Sequence, residues 1–239
     1  MSNLEVLTAD TAERIVEIGP DLAESYKVAF AGDPWNEVSR CNDLACLEGL
    51  SGLEVGCECP GCGGALEEAY NVEELVGGWS TLLRQENAFF EVAFEEGQPQ
   101  RATIARPTNV DELLARKYAD TPFMKDWLQQ RFPDNFVWIE DTFANRNRKP
   151  TGNLKDRGET LGRIAAYYGG AQILTRTLSP AIVAATLRDA KARSMVYVGT
   201  KGVGRETVNQ VFENPGYSLP TVPDRRTLIV IKNALQIAQ

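Results

Sequence analysis

The sequence predicts a mixed α/β or α+β domain, and three observations support this fold class. Helical and strand periodicities follow one another along the chain in the order of two helices, a hairpin, two helices, a strand, and then helix and strand in alternation. The 239 residues, 43% of them hydrophobic, suffice for one large domain with a packed core. No internal repeat or low-complexity tract interrupts the pattern. We therefore expect one domain over residues 1–239.

The first elements are a short strand and a long helix. The strand is expected near residues 4–7. In the helix, Leu22, Tyr26 and Phe30 recur at helical spacing, and Gly32-Asp33-Pro34 ends the pattern. Residues 40–64 are rich in Cys and Gly and show no sustained periodicity, so we assign residues 38–66 to an insertion.

A second helix and a hairpin follow the insertion. Leu75 and Trp79 lie on one face of the helix. Residues 90–94 alternate apolar and other side chains, which predicts a half-buried strand. Glu96-Gly97 suits the turn, and residues 102–106 form the returning strand.

Two helices and a strand occupy the middle of the chain. Thr108 with Asp111 can cap a helix that carries Leu113 on its apolar face, and Thr121-Pro122 opens another helix. Residues 136–143 are almost continuously bulky and predict a strand.

The last third alternates helices and strands. A helix from residue 154 to 168 ends at Gly169-Gly170, and Ser179-Pro180 opens a helix to about Ala192. Strands are expected at residues 173–177, 195–198 and 227–231.

The charge of the chain is unevenly distributed, and histidine is absent. The formal net charge is -8, which argues against general nucleic-acid binding. Residues 1–100 hold 20 acids and 4 bases, whereas residues 101–239 hold 13 acids and 21 bases. The lack of histidine excludes Ser-His-Asp and Cys-His nucleophile pairs and HExxH metal sites.

Five cysteines lie between residues 41 and 62 and predict a metal site. Cys59-Pro-Gly-Cys62-Gly-Gly forms a tight turn in which two thiolates converge on a tetrahedral Zn²⁺. Cys41 and Cys46 complete a closed, structural four-cysteine site, with Cys57 left over or replacing one ligand. Clustered thiols, with no targeting or membrane-spanning segment visible, lead us to expect a cytoplasmic protein with reduced cysteines.

Four segments resemble, in order and spacing, the GNAT (N-acetyltransferase) superfamily. Residues 26–37, ending in Pro-Trp-Asn-Glu, resemble the end of its first helix, and residues 89–98 its first long hairpin strand. Residues 137–144 are similar to the central strand that leads into the acetyl-CoA pyrophosphate loop, and residues 173–182 to the next strand and helix. The resemblance covers most of the chain apart from the insertion and residues 199–224.

The resemblance implies a mostly antiparallel central sheet flanked by helices, and the cysteine pattern adds a small zinc-knuckle insertion to it. It also implies an acetyl-CoA loop that begins about six residues after the central strand. The window starting at Lys149 has the right spacing, while the window from Arg157 to Gly162 is closer in residue type. With the Lys149 window, the expected acetyl-CoA-binding residues are Thr142, Phe143, Ala144, Arg148, Lys149, Thr151, Gly152, Asn153 and Ser179.

A basic loop supports an anion site independently of the family. Arg146, Arg148, Lys149, Lys155 and Arg157 crowd a connection from a strand to a helix. Helix-end amides and cationic side chains both favour an anion there, although a solvated basic loop would look the same.

The central strand contains two acids that could serve as the general base. Glu140 and Asp141 are adjacent, and neighbouring strand residues face opposite ways, so one of them should face the substrate. We assign the general base to Glu140, acting directly or through a water; alternatively, a nearby Arg or a backbone amide satisfies its carboxylate.

These features predict an acyltransferase that moves an acetyl group from acetyl-CoA to a primary amine of a small molecule or protein. The acidic first half favours a cationic acceptor, and a homodimer is compatible with this reading. The alternative is a catalytically inactive GNAT-fold binding or interaction protein with a structural zinc site. The imperfect match of both loop windows to the family pattern favours this alternative. So does the lack, in residues 181–188, of the tyrosine with which family members often protonate the leaving thiolate.

Overall fold

The computed structural model describes residues 3–32, 35–43, 50–85, 87–117, 124–129, 132, 135–145, 155–177, 196–201, 210–213 and 227–232. The chain divides into two compact units. The first unit comprises Met1–Thr103 and Asp141–Pro150, and the second comprises Ile104–Glu140 and Thr151–Gln239. Two strands, Gln98–Thr108 and Phe136–Ala144, contribute residues to both units.

The first unit contains two helices, a strand ladder and a small separate sheet. Its elements are β1 (Asn3–Leu7), α1 (Arg14–Ala31), β2 (Ser39–Cys41), β3 (Leu50–Ser51), β4 (Leu66–Glu68), α2 (Val72–Gln85), β5 (Phe89–Glu95), the start of β6 (Gln98–Thr108) and the end of β7 (Phe136–Ala144). A 3-10 turn at Ala9–Thr11 leads into α1. The predicted first strand, both helices and the hairpin are confirmed.

Helices α1 and α2 pack closely against each other at a glycine. The buried face of α1 includes Leu22, Tyr26 and Phe30, as the helical spacing predicts. A Cβ atom on Gly19 would lie 2.7 Å from Cγ2 of Val76. The absence of a side chain at Gly19 therefore permits the close approach of α2.

The ladder of the first unit runs β1-β5-β6. Strands β1 and β5 are antiparallel, with Leu7 opposite Phe90, and the turn after β5 is made by Glu96 and Gly97 at φ of 52° and 79°. The expectation that β5 is half-buried is wrong, because its residues from Phe89 to Phe94 are buried on both faces. The alternation of Glu91 with apolar residues had suggested a solvated face.

The Cys-rich segment forms a three-stranded sheet of order β3-β2-β4 that the sequence analysis missed. All its pairings are antiparallel, with Cys41 opposite Leu66 and Arg40 opposite Glu67 and Leu50. Strands of two or three residues are too short to show a period-2 pattern.

The second unit contains the rest of β6 and β7, three helices and four further strands. These are α3 (Val110–Lys117), α4 (Met124–Gln129), α5 (Lys155–Tyr167), β8 (Ile173–Thr177), β9 (Val196–Lys201), β10 (Gln210–Glu213) and β11 (Thr227–Lys232). The strand order is β6-β7-β8-β11-β9-β10. Strand β7 is parallel to β8, while the β8–β11, β11–β9 and β9–β10 pairs are antiparallel.

Most predicted elements of the second unit are confirmed, with two differences. The cap of α3 is Asn109, whose side-chain oxygen accepts a hydrogen bond from the Glu112 amide at 2.9 Å, whereas Thr108 donates to the Glu112 carboxylate. Strand β10 was not predicted. Tyr118, Thr121-Pro122 and the predicted helix after Ser179 lie outside the described residues.

The hydrophobic core of the second unit forms around one face of β7. Helices α3 and α4 place Leu113 and Leu128 against Phe136, Trp138 and Leu174. Gly169 and Gly170 adopt positive φ of 64° and 89° directly after α5, as expected for a glycine-terminated helix.

The architecture confirms the predicted fold class, a mixed α/β structure with a mostly antiparallel central sheet flanked by helices. A search of the helices among the described residues finds none with the length and hydropathy that a membrane crossing requires.

Candidate functional site

Strand β7 carries the two acids that the sequence singles out, and each has a different environment. Glu140 bonds to Arg106, whereas Asp141 bonds to Tyr26. Successive strand residues point to opposite faces, so the two carboxylates lie on opposite sides of β7. The different partners of Glu140 and Asp141 are consistent with this division between two faces.

Glu140 is held in a buried ion pair. The Nε of Arg106, on β6, donates to Oε2 of Glu140 at 3.2 Å, and the two side chains are only 2% and 13% exposed. A guanidinium at this distance stabilises the charged form of the carboxylate. The sequence held a signal for this partner, because Arg106 follows Ala102 and Ile104 on the core-facing side of β6, where an arginine requires a counter-charge.

Asp141 faces an aromatic cluster on the other side of β7. Its Oδ2 accepts a hydrogen bond of 3.4 Å from the Tyr26 hydroxyl, on α1. The Tyr26 ring lies 4.8 Å from Phe143 and 5.9 Å from Trp79, and Trp79 is stacked at 6.0 Å on Phe143. Burial, followed by the nearby charge of Asp141, raises the pKa of Tyr26 far above its ordinary value. The phenol therefore stays protonated in the folded protein and donates a hydrogen bond to the Asp141 carboxylate.

A second tyrosine–carboxylate pair adjoins the first. The Tyr70 hydroxyl donates a short hydrogen bond to Glu37 Oε2, and the Tyr70 ring meets that of Tyr26 edge-on at 4.9 Å. Burial raises the pKa of Tyr70, and the hydrogen bond to Glu37 is the next largest cause of the rise. No local pattern predicts either tyrosine pair, because the partners are 33 and 115 residues apart in sequence.

The predicted acetyl-CoA-binding residues fall partly within the described chain. Thr142 and Ala144 are exposed at the end of β7, whereas Phe143 is buried in the aromatic cluster. Only the backbone of Phe143 could therefore contact a cofactor. The others lie outside the described residues: Arg148, Lys149, Thr151, Gly152, Asn153 and Ser179.

The parallel ladder between β7 and β8 is short. Among the described residues it consists of Val137 opposite Ile173 and Trp138 opposite Leu174. Beyond these pairs β8 continues in register with β11 as far as Thr177, while β7 continues without β8. Backbone groups of Ile139 on β7 and Thr175 on β8 thus extend past the ladder, where an extended ligand can bond to them.

The two alternative loop windows differ in their relation to α5. Arg157 and Gly162 both lie inside the helix, which begins at Lys155. From its second turn onward, a helix commits its amides to its own carbonyls. The window from residue 149 to 154 lies outside the described residues and directly precedes the helix.

Three of the four predicted zinc ligands converge in the first unit. The Sγ atoms of Cys41, Cys59 and Cys62 all lie within 4.8 Å of one another, and those of Cys41 and Cys62 are 3.4 Å apart. Sulfurs bound to one tetrahedral zinc at about 2.3 Å would lie about 3.8 Å apart, so the spacing fits the metal. Cys57 is exposed and is not part of this group, and Cys46 lies outside the described residues.

The backbone around these cysteines is arranged for thiolates. The Gly64 amide donates to Cys62 Sγ at 3.4 Å, and the Gly63 amide donates to the Cys59 carbonyl at 2.8 Å. Gly63 has a positive φ of 75°, and a Cβ on Gly64 would lie 3.3 Å from Cys62 Sγ. Both glycines are therefore required by the turn, which fits a metal-binding knuckle.

By sequence, the chain matches no protein-family model and no curated protein. Its structure is similar to those of three N-acetyltransferases. These are an agmatine N-acetyltransferase variant (12% identity, covering 95% of this chain and 97% of that chain, TM-score 0.51) and the Drosophila melanogaster polyamine N-acetyltransferase, described as catalysing formation of N-acetylagmatine (12% identity, 96% and 98%, TM-score 0.52). The third is a mosquito arylalkylamine N-acetyltransferase-like protein (10% identity, 96% and 99%, TM-score 0.50).

These likenesses extend over almost the whole length of each chain at low sequence identity, so they establish the fold. The resemblance found in the sequence is thereby confirmed at the level of architecture: this chain has the GNAT fold.

Proposed function

We propose that this protein is an acyltransferase that moves an acetyl group from acetyl-CoA to a primary amine. The observation that carries the proposal is the parallel β7–β8 pair, whose ladder among the described residues ends at Trp138 and Leu174. The fold that contains this pair is shared with N-acetyltransferases. The amides of a pantetheine arm are extended and polar, so they suit strand edges left without a ladder partner.

The reaction needs an amine nucleophile and a proton acceptor. The amine nitrogen attacks the thioester carbonyl carbon, a C–N bond forms, and the C–S bond breaks to release CoA as its thiolate. The amine loses one proton, and the thiolate takes one up to leave as the thiol. Glu140 is our proposed base, acting directly or through a water. Its hydrogen bond from Arg106 fixes its orientation, which suits a positioned hydrogen-bond acceptor.

Acetyl-CoA binding is assigned to the end of β7 and the loop after it. Thr142 and Ala144 offer exposed positions, and the basic loop from Arg146 to Lys149 supplies positive charge for the pyrophosphate. The location of Arg157 inside α5 supports the Lys149 window over the Arg157 window. The remaining proposed contacts are Phe143 through its backbone, Thr151, Gly152, Asn153 and Ser179.

The acceptor is proposed to be a cationic primary amine of a small molecule or a protein. The acidic composition of residues 1–100 would attract it. The solved structures of this fold include enzymes named for agmatine, polyamines and arylalkylamines. These three amine classes are therefore the first probes to use.

A structural Zn²⁺ is proposed at Cys41, Cys59 and Cys62, with Cys46 as the fourth ligand. Four thiolates leave no open coordination position, so this metal would stabilise the insertion at residues 38–66 and take no part in acetyl transfer. Thiolate ligation also fits the reducing cytoplasm expected for this protein. Cys46→Ser should lower the zinc content below half an equivalent, while Cys57→Ser should retain it.

The test of the proposed function combines ligand binding with turnover. Acetyl-CoA and CoA should each raise the melting temperature, because a ligand bound only by the folded state stabilises it. Lys149→Ala should reduce this shift more than Arg157→Ala. Acetylation of agmatine, spermidine or tryptamine by mass spectrometry would support the enzyme. A shift without product on any amine would count against catalysis, and no shift at millimolar CoA would reject the enzyme and favour the inactive interaction protein.

A further inference from the structure

We infer that a zinc ion held by Cys41, Cys59 and Cys62 fixes the Glu37–Tyr70 pair against Tyr26, and that Tyr26 in turn orients Asp141 on β7. The inference extends the proposed function, and it rests on that function only for its kinetic test. Its structural part concerns residues of the first unit alone.

One metal ligand, Cys41, lies on β2, and Glu37 and Tyr70 each lie two residues beyond the paired ends of β2 and β4. In the β2–β4 ladder, Ser39 is opposite Glu68 and Cys41 is opposite Leu66. Continuing this register two residues beyond Ser39 brings Glu37 opposite Tyr70, and these two side chains are hydrogen-bonded. A backbone bond of 3.2 Å from the Ala69 amide to the Val38 carbonyl continues the pairing in between. Cys41 and Glu37 are four residues apart, about 13 Å along an extended chain.

The second link runs from Tyr70 to β7. Tyr70 meets Tyr26 edge-on at 4.9 Å, and Tyr26 donates to Asp141 at 3.4 Å. Asp141 is the neighbour of Glu140, the proposed base. A displacement of Tyr70 would therefore open space beside Tyr26 and loosen the orientation of Asp141.

Without a metal, the small sheet would be stabilised by a small apolar cluster and short ladders among the described residues. Its buried apolar cluster consists of Cys41, Cys59 and Leu66. Its two ladders contain only two and three residue pairs, and ribbons of this size are marginal in water. Structural zinc supplies folding free energy directly in such modules.

Salt bridges tie the sheet to the rest of the first unit but lie at its surface. Arg40 bonds Glu74 of α2 at 3.2 Å, and Lys27 of α1 bonds Glu68 at 3.2 Å. The carboxylates of both pairs are more than half exposed, so each pair contributes little. A bound metal would therefore add a strong constraint on the position of β2 and β4.

The first experiment tests the structural coupling without using activity. Zinc content is measured for the native protein, Cys59→Ser and the control Cys57→Ser, whose thiol is exposed and outside the cluster. Hydrogen exchange is then followed in peptides containing Tyr70 and in peptides spanning 141–143. We expect about one zinc in the native protein and in Cys57→Ser, and less than half in Cys59→Ser. Exchange should be about tenfold faster in both peptide sets of Cys59→Ser.

Two results would overturn the inference. One is faster exchange in Cys59→Ser confined to residues 41–66, which would make the zinc a purely local device. The other is zinc content in Cys59→Ser equal to that of Cys57→Ser, which would remove the metal site. Cobalt replacement provides a second readout: sulfur-to-cobalt charge-transfer bands should be present in Cys57→Ser and lost in Cys59→Ser.

A kinetic arm separates this inference from the proposed function. Tyr70→Phe removes the bond to Glu37 and leaves all cysteines intact. We expect full zinc content, an unchanged CoA-induced melting shift and an apparent KM for the best amine raised about fivefold or more. An unchanged KM would contradict the positioning role while leaving acetyl transfer intact. A native protein with no CoA response would reject the proposed function, and the exchange experiment would still decide the coupling.

Discussion

Removing either member of the Arg106–Glu140 pair should cost far more stability than breaking an exposed salt bridge. The two side chains are 2% and 13% exposed, and Nε lies 3.2 Å from Oε2. At an effective dielectric constant of ~20, two unit charges at this separation attract by about 5 kcal/mol. Arg106→Met leaves the Glu140 carboxylate buried without its guanidinium, so we expect a loss of about 3–5 kcal/mol in the free energy of unfolding.

A double-mutant cycle distinguishes a paired charge from simple packing. Glu140→Leu should also cost about 3–5 kcal/mol, because it leaves the Arg106 charge buried. The double variant Arg106→Met/Glu140→Leu removes both charges and should cost no more than either single variant, giving a coupling energy of at least about 3 kcal/mol. Urea unfolding followed by Trp fluorescence measures all four proteins. Single losses below about 1 kcal/mol that simply add would refute the reasoning, since that is the behaviour of a solvent-screened pair.

Catalytic and structural roles of Glu140 can be separated in the same series. Glu140→Gln keeps an oxygen that accepts from Arg106 but cannot take a proton. If Glu140 is the base, turnover should fall about 10²–10⁴-fold at a temperature where the variant is folded, with CoA binding unchanged. Unchanged turnover in folded Glu140→Gln would restrict Glu140 to the ion pair.

Three further outcomes follow from the first unit. Gly19→Ala should lower the melting temperature because its Cβ meets α2 at 2.7 Å, whereas Gly78→Ala, with open space around it, should gain about 0.5–1 kcal/mol; equal effects by calorimetry would contradict the close helix contact. In an alkaline absorbance titration, the folded protein should ionise at most five of its seven tyrosines, because folded Tyr26 and Tyr70 retain their protons. The free energy of unfolding should decline above pH 10.0, where unfolded chains release these phenolic protons. Ionisation of all seven tyrosines before unfolding would contradict this prediction. Tyr26→Phe should cost about 1–3 kcal/mol by urea unfolding, since it removes a donor from a half-buried carboxylate, and a neutral result would disprove that bond.

Long periodic segments allowed much of the fold to be predicted from the sequence. Helix α1 was predicted because Leu22, Tyr26 and Phe30 recur every four residues and are buried as expected. The three-stranded Cys-rich sheet was missed, because its pairing depends on contacts between residues such as Cys41 and Leu66, not on a local pattern.

The candidate site was predictable in its residues but not in their partners. Glu140 and Asp141 were conspicuous as adjacent acids in an apolar strand, and alternation placed them on opposite faces. Their partners, Arg106 and Tyr26, are 34 and 115 residues away in sequence, so only the folded chain brings them together. The convergence of Cys59 and Cys62 was predictable from the sequence, because the local turn between them brings the two thiols together.

The two adjacent carboxylates of β7 also oppose a shift in the register of this strand. If β7 slid by one residue, every side chain would exchange faces, and the Glu140 carboxylate would leave the face on which it bonds Arg106. Tyr26 would lose its acceptor at the same step. A slipped strand would therefore break the Arg106–Glu140 and Tyr26–Asp141 bonds together, so misregistered folding intermediates of this sheet should be short-lived.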